Sequence, residues 1–230
     1  MRNLLSNDSG FWSMRSDDAD LLAAKSRTTY AIGPTQQYAP GRAWAYNNEP
    51  VLEEATGKRV ARFARERLFE PLGMSHTTFI TDRADNAAGV FHGLRTTCLE
   101  LARFGELYFG RGTVDGRRLL DTSYVKRAVG RSSTVHNAAY GYLWWLNRAG
   151  LIRGATDTVD AQDQPVERVT GQLVSFAADN VFAALGFGGQ VLLVDPNTKA
   201  VIVRLGLPAQ PGAQAYGPGH AATVLSRAVR

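Results

Sequence analysis

A single cysteine, Cys98, stands in the 230 residues, so no intramolecular disulfide can form and no thiolate-rich metal site is available. Its setting, "RTTCLELARF", predicts a thiol packed into the core from a helix. The four histidines, His76, His92, His136 and His220, all lie more than five residues apart, which excludes the paired ligands that a helix or tight turn presents to a metal. No cofactor is expected either. A P-loop is missing, and "GFGGQ", though glycine-rich, is not followed by the helical pattern that a dinucleotide fingerprint requires. The G-x-S-x-G nucleophile elbow is also absent. No apolar run approaches the roughly 18 residues of a membrane span. The opening "MRNLLSNDSGFWS" has only two consecutive leucines before polar residues intervene and does not read as a secretory leader. Basic blocks are lacking too. The 26 Lys and Arg against 21 Asp and Glu give a net +5, but they are scattered through segments such as "RVARFARERLF", which argues against a nucleic-acid partner.

What is present is the composition of an ordinary globular domain, 44% hydrophobic and 20% charged, at a length that suits one domain or one with a small lobe. Residues 1–50 are broken by Gly10, Gly33, Pro34, Pro40 and Gly41, with room for one short helix in "SDDADLLAAKS". The spacing of Val60, Phe63, Ala64 and Leu68 predicts a helix through "TGKRVARFARERLFEPLGM", stopped by Pro71 and Gly73. Thr97 with Glu100 predicts a capping box that opens a second helix, its buried stripe being Leu101, Phe104, Leu107 and Tyr108. "GRGTVDGRRLL" reads as a hairpin, and "TSYVKRAV" as a third helix starting at Asp121 or Thr122. "YGYLWWLN" is strand-like, and 150–172 reads as a long polar surface loop.

The period then changes. "NVFAALG", "GQVLLVD" and "KAVIVRLG" read as strands, the last two joined by a type I turn at Pro196. The unbroken apolar runs "VLLV" and "VIV" predict strands covered on both faces, hence an antiparallel sheet between helices. A final helix with Ala221, Val224, Leu225, Ala228 and Val229 on one face closes one side. The expected fold class is therefore α+β, one domain over 1–230, mainly helical and loop to 150, with strands and the closing helix over 173–230.

"WAYNNEP" places a tyrosine two residues before an asparagine, Tyr46 and Asn48. Alone the triplet reads equally well as a surface turn. Its sequel is more specific: "EEATGKRVARFARERLFEPLGMSHTTF", "HGLRTTCLELARFGELYFGRGTVDGRRLL", "YGYLWWLN" and "ALGFGGQVLLVDPNTKAVIVRLG" follow in that order. Together these segments resemble the β-lactamase-related serine hydrolase family, the class C-like relatives of penicillin-binding proteins, over nearly the whole chain. The resemblance implies a β-lactamase/DD-peptidase-like fold and acyl transfer by a serine that a lysine one helical turn on activates. It assigns Tyr46 as proton shuttle, Asn48 as the amide that aligns lysine and substrate, and Gly188-Gly189-Gln190 as a strand wall. One N–H of that wall and the serine's own N–H would form the oxyanion hole. Gly188 and Gly189 also fit simple close packing of strands. The wall has no Lys, His or Trp where many relatives do, which points away from β-lactam carboxylates and toward ester, amide or oligomer hydrolysis.

The one literal Ser-x-x-Lys is Ser123-Tyr124-Val125-Lys126. It follows the tyrosine motif, whereas the family's serine precedes it, so it reads as part of a peripheral helix. "RNLLSNDSG" resembles the segment after the family's serine helix. The resemblance therefore implies a domain incomplete at its start, lacking the N-terminal helix, the first strands and the serine helix. Only "EPVLEEA" separates Asn48 from Thr56, where relatives carry a longer helix. The expectation is a serine hydrolase for a small ester, amide or peptide-like substrate, inactive as this chain. The alternative is a non-catalytic binding or scaffold protein that keeps the fold. An incomplete sheet would leave an edge and apolar helix faces uncovered, which favours self-association. Family members are often exported, but nothing in the chain assigns a compartment.

Overall fold

The β-rich periodicity of the last third becomes one antiparallel sheet, and the helical stripes cover its two faces. A computed structural model describes residues 2–10, 36, 38–46, 60–80, 93–154 and 169–229. In chain order the elements are α1 (Arg2–Leu5), α2 (Val60–Ala64) running into a π-helical turn (Arg65–Phe69), β1 (Thr78–Phe79), β2 (Leu94–Arg95) and α3 (Cys98–Phe109). There follow β3 (Thr113–Val114), β4 (Arg117–Arg118), α4 (Thr122–Val129), β5 (Trp145–Leu146), β6 (Gly150–Ile152) and β7 (Val169–Gly171). The chain ends with β8 (Phe182–Gly186), β9 (Gln190–Asp195), β10 (Ala200–Arg204) and α5 (Pro218–Ala228).

The main sheet has the order β10-β9-β8-β5, all antiparallel. Successive side chains of a strand point to opposite faces, and β9 shows why its apolar run is unbroken. Leu192 and Val194 pack with Tyr108 of α3 and with Val125 and Ala128 of α4, whereas Val191 and Leu193 pack with Ala221, Ala222 and Leu225 of α5. β10 is the edge strand, and all five of its residues stay partly exposed. Among the described residues only β9 pairs with it. α3 approaches the sheet closely through Gly105, where an added Cβ would stand 2.8 Å from Val201 Cγ1.

Turn chemistry fixes the connections. The β3–β4 hairpin turns at Asp115 and Gly116, both with positive φ (49° and 74°), as a two-residue type I′ turn requires. Between β9 and β10 the Asp195 carboxylate accepts from Asn197 N and Thr198 Oγ1, each at 2.9 Å, and so holds the turn that Pro196 begins. Thr97 and Asp121 cap α3 and α4 with their side-chain oxygens.

Several local readings give way to tertiary structure. Cys98 is exposed rather than buried. It is the first residue of α3, and helical side chains lean toward the N-terminus, so its thiol leans off the packed part of the helix. The helix through 60–69 changes to i→i+5 bonding, with Glu70 N donating to Arg65 O at 3.0 Å. The wider turn moves the buried face on by a residue, so Phe69 is buried and Leu68 only partly so. "YGYLWWLN" is strand only at Trp145–Leu146. Before it the chain folds on itself, with Leu143 at φ 59° and Gly141 N donating to Trp144 O at 2.8 Å. The ends of the expected 150–172 loop pair as β6 and β7, and residues 155–168 lie outside the described residues. On α5, Val224 and Val229 stay about half exposed at 48% and 46%, and the buried stripe narrows to Ala221, Ala222 and Leu225. "SDDADLLAAKS" and His92 lie outside the described residues. Among those described, no helix is long and apolar enough to cross a membrane.

Half of the predicted capping box forms. Thr97 Oγ1 accepts from Glu100 N at 3.2 Å, but the Glu100 carboxylate turns to the preceding loop. There Oε1 accepts from His76 N at 2.8 Å and pairs with His76 Nδ1 at 2.9 Å, while Oε2 accepts from Thr77 Oγ1 at 2.7 Å. Burial pushes the Glu100 carboxyl up, but the Thr77 hydroxyl and the His76 backbone and ring together hold it below its ordinary 4.5. A carboxyl that titrates lower in the fold than in the unfolded chain stabilises the fold fully above the unfolded pKa. That contribution is lost as pH falls through the folded pKa. The advantage of wild type over Glu100→Gln in thermal melts is therefore expected to shrink as pH drops below 4.5. An advantage that stays constant down to pH about 2 would show that the charge plays no part.

Candidate active site

Tyr46 belongs to the described stretch 38–46, which the N-terminal segment holds like a ladder. Tyr38 N donates to Gly10 O (3.1 Å), Gly41 N to Asp8 O (2.7 Å) and Ala45 N to Asn7 O (3.0 Å). Asn7 adopts φ 56°, a left-handed conformation that asparagine tolerates. From there its Nδ2 reaches Tyr140 Oη at 2.9 Å. His136 Nε2 pairs with Gly41 O at 3.0 Å, and Arg153 Nη1 donates to Trp44 O at 3.4 Å. Residues far along the chain thus tie the loop down along its length.

An aromatic cluster then sets the Tyr46 ring. Trp44, Tyr140 and Trp145 are buried, and Tyr46, Leu173 and Leu185 pack against them. The Tyr46 ring stacks on Trp145, with centroids 5.6 Å apart and planes inclined by 26°. Tyr140 meets it edge-on at 6.2 Å. Offset stacks and edge-to-face pairs are the favoured aromatic geometries. Burial, and then the neighbouring Tyr46 phenol, push the Tyr140 hydroxyl well above the usual phenol range despite the bond from Asn7. Tyr140 therefore serves as a neutral strut, and Tyr46 is the phenol of the pair that keeps partial exposure.

Beside this cluster the sheet opens. β5 pairs only with Phe182 and Ala183 of β8, so no described strand covers the outer edge of Ala184, Leu185 and Gly186. Their exposure rises toward Gly186. Leu185 packs against the same aromatic cluster as Tyr46. The β8–β9 hairpin follows, Gly186 pairing with Gln190. Gly188 and Gly189 occupy its turn at φ 74° and 80°, two consecutive left-handed residues that only glycine adopts readily. The expected strand wall is thus a hairpin turn at Gly188 and Gly189, and Gln190 is the first residue of β9. The Gln190 amide imitates a peptide, its Nε2 donating to Gly206 O at 2.6 Å and its Oε1 accepting from Gly206 N at 2.9 Å.

The profile of the Beta-lactamase family matches residues 1–211. The chain belongs to the beta-lactamase family. Solved structures show the same fold. A Bacillus anthracis protein described as a 6-aminohexanoate-dimer hydrolase superposes with a TM-score of 0.67 at 19% identity, over 98% of this chain and 58% of that one. A beta-lactamase of Mycobacterium bovis gives 0.60 at 17% identity, over 100% of this chain and 74% of that one. EstCE1, a hydrolase with promiscuous acyltransferase activity, gives 0.57 at 16% identity, over 99% and 71%. These likenesses establish the α+β beta-lactamase-type fold. No curated protein sequence matches the chain.

Within this beta-lactamase-family fold, Leu185, which packs against the same cluster as Tyr46, lies in the strand that runs into the Gly188-Gly189-Gln190 hairpin. Asn48, together with the short segment after it, lies outside the described residues. Ser123 does not join them. Its hydroxyl donates to the Asp121 carboxylate and accepts from Arg127 Nη1 at 3.0 Å, as part of the α4 cap. α4 also packs on the α3 face of the sheet, whereas Leu185 belongs to the α5 face. Sequence reasoning missed Trp145, Tyr140, Asn7 and Arg204, whose Nη1 donates to the carbonyls of Gly188 at 3.1 Å and Gly189 at 2.9 Å. The aromatic density of "YGYLWW" was the signal for the first two, and no local pattern marks Asn7 or Arg204.

Proposed function

We propose that this beta-lactamase-family chain carries the proton-transfer side of a serine acyl-transfer site for a small ester or amide. Tyr46 is the proton shuttle, Asn48 the orienting amide, and the Gly188-Gly189-Gln190 hairpin bounds the substrate. The mounting of Tyr46 is the observation that carries this reading. A general acid/base must present its hydroxyl in a fixed place without losing it to a structural bond. Trp145 and Tyr140 fix the ring, and among the described residues no group hydrogen-bonds its hydroxyl. The half-edge of β8 at 184–186, left unpaired by the described strands, offers backbone groups of the kind that stabilise a developing oxyanion.

The lysine-paired serine is the element this reading does not find beside Tyr46. Ser123 and Lys126 are the only Ser-x-x-Lys pair in the 230 residues, and the Ser123 hydroxyl is committed to Asp121 and Arg127. The chain assayed alone is therefore expected to show no burst with a chromogenic ester and no mass shift with a fluorophosphonate. A neutral ester analogue should still quench its tryptophan emission, and Tyr46→Ala should abolish that quenching. An adduct lost in Ser123→Ala would move the nucleophile to α4 and sink the assignment. An adduct that survives Ser123→Ala would show another serine at work.

The second reading is a non-catalytic binding protein that keeps the fold, favoured by the same commitment of Ser123. The two readings part at the coding DNA ahead of Met1. An in-frame Ser-x-x-Lys there supports the hydrolase, and a stop codon without one supports the binding protein.

A further inference from the structure

The basic excess of the chain is gathered on one surface. Residues 111–131 hold six cations, Arg111, Arg117, Arg118, Lys126, Arg127 and Arg131, against the two carboxylates of Asp115 and Asp121. That stretch alone carries a net +4 of the chain's +5. All six cations are exposed.

The fold brings most of them to α4. Arg118 Nη1 donates to Thr122 Oγ1 at 2.5 Å and to Arg111 O at 3.3 Å, so β4, the turn at Arg111 and the first turn of α4 meet. Arg127 Nη1 donates to Ser123 Oγ at 3.0 Å. Thr122, Ser123, Lys126 and Arg127 share the outer face of this helix, because residues four apart stand on one side. Its inner face, Val125 and Ala128, is held in the core. Arg131 follows directly after the C-cap, Gly130.

The two carboxylates leave this charge uncancelled. Asp115 pairs with Arg103, a cation outside the stretch, at 3.2 Å. Asp121 is spent on capping α4, accepting from Ser123 N, Tyr124 N and the Ser123 hydroxyl. Among the described residues no ion pair engages any of the six cations. Like charges crowded in this way repel one another, and an anionic partner relieves that repulsion.

We propose that the outer face of α4, with the β3–β4 hairpin, is a docking surface for an anionic lipid bilayer. The inference is independent of the Tyr46 reading. A cluster of about four to eight Lys and Arg on a helix binds anionic headgroups, each cation strengthening attachment about fivefold. Five of the six cations are arginines, whose forked guanidinium fits phosphate oxygens. No large apolar side chain is exposed between Leu99 and Val135, so the surface attaches by charge and does not insert. It therefore offers no aromatic platform for the bases of a single strand. No Asn or Gln stands in 111–131 to read a duplex base edge.

Vesicle co-sedimentation of the 230-residue chain tests the proposal. The chain is expected to pellet with phosphatidylcholine vesicles that contain about 30% phosphatidylglycerol, and not with phosphatidylcholine alone. Raising salt from about 0.1 to about 0.5 M is expected to release it. Lys126→Gln combined with Arg131→Gln is expected to weaken the binding about thirtyfold. Neither side chain makes a hydrogen bond or ion pair among the described residues, so the fold is kept. Arg65→Gln combined with Arg67→Gln removes the same charge elsewhere, from exposed positions before Phe69, and is expected to weaken binding by less than about threefold. Equal pelleting with the two vesicle types overturns the proposal. So does equal weakening by the two pairs of substitutions, which would reduce the effect to net charge. Tighter binding to a mixed-sequence DNA duplex at the same salt also overturns it and makes the surface one for nucleic acid.

Discussion

Replacing Asn147 by aspartate is expected to cost the fold about 3–5 kcal/mol, although the side chain keeps its shape. Asn147 is 2% exposed, directly after β5. Its Nδ2 donates toward the carbonyls of Val174, Ala177 and Ala178 at 3.0, 3.1 and 3.0 Å, while Oδ1 accepts from Val174 N at 2.8 Å. One amide therefore organises the whole 174–178 loop. Aspartate would set a buried carboxylate against three carbonyl oxygens, with no hydrogen to offer them. Against the 5–15 kcal/mol typical of a domain, roughly 0.05–0.15 per residue, this is a large fraction. Denaturant titration measures it as a fall in midpoint at unchanged slope. The sign of the pH response is also fixed. The unpaired buried carboxyl would have a raised pKa in the fold, so the variant should recover part of its deficit as pH falls and the acid gains a donor. A variant as stable as wild type would mean that the 174–178 carbonyls do not depend on the Asn147 amide.

Gly105 predicts the second large effect. A Cβ there would stand 2.8 Å from Val201 Cγ1 and 3.2 Å from both Leu192 Cδ1 and Val194 Cγ2. Gly105→Ala combines that crowding with a gain of about 1 kcal/mol in helix propensity, so it is expected to lie near neutral. Gly105→Leu has no such balance. It must lift α3 off β9 and β10, at a cost of about 3 kcal/mol. Thermal melts of the two variants separate the steric effect from the backbone effect. A Leu variant no less stable than the Ala variant would mean that α3 is not seated on the sheet at this residue.

The elements that could be read in advance are those in which local pattern and final burial agree. β9 is apolar on every residue from Val191 to Val194 because α3 and α4 cover one face and α5 the other. Thr97 and Asp121 announced the starts of α3 and α4 because a cap is a contact between near neighbours. The local reading failed where a distant partner intervened. Glu100 has the spacing of a capping box, yet His76 and Thr77 draw its carboxylate away. β6 and β7 lie within a polar stretch and pair across 155–168, which no periodicity signals.

The same division holds at the candidate site. Tyr46 was picked out by the order of motifs around it, but its support comes from Asn7, Tyr140, Trp145 and Leu185, four segments that meet only in three dimensions. The glycines of the hairpin were legible as close-approach residues. That they form a turn, and that Arg204 grips their carbonyls, was not.

The dispersed support of Tyr46 also bears on how the chain is made. At the usual 5–20 residues per second, the Tyr46 loop leaves the ribosome on the order of ten seconds before β8 does. Tyr140 and Trp145 follow late in that interval and Leu185 only at its end, so Trp44 and Tyr46 wait uncovered on a nascent chain. The site is therefore among the last parts of the molecule to assemble during translation. A pause anywhere between residues 46 and 186 prolongs the interval in which chaperones, rather than the protein's own aromatics, must shield that loop.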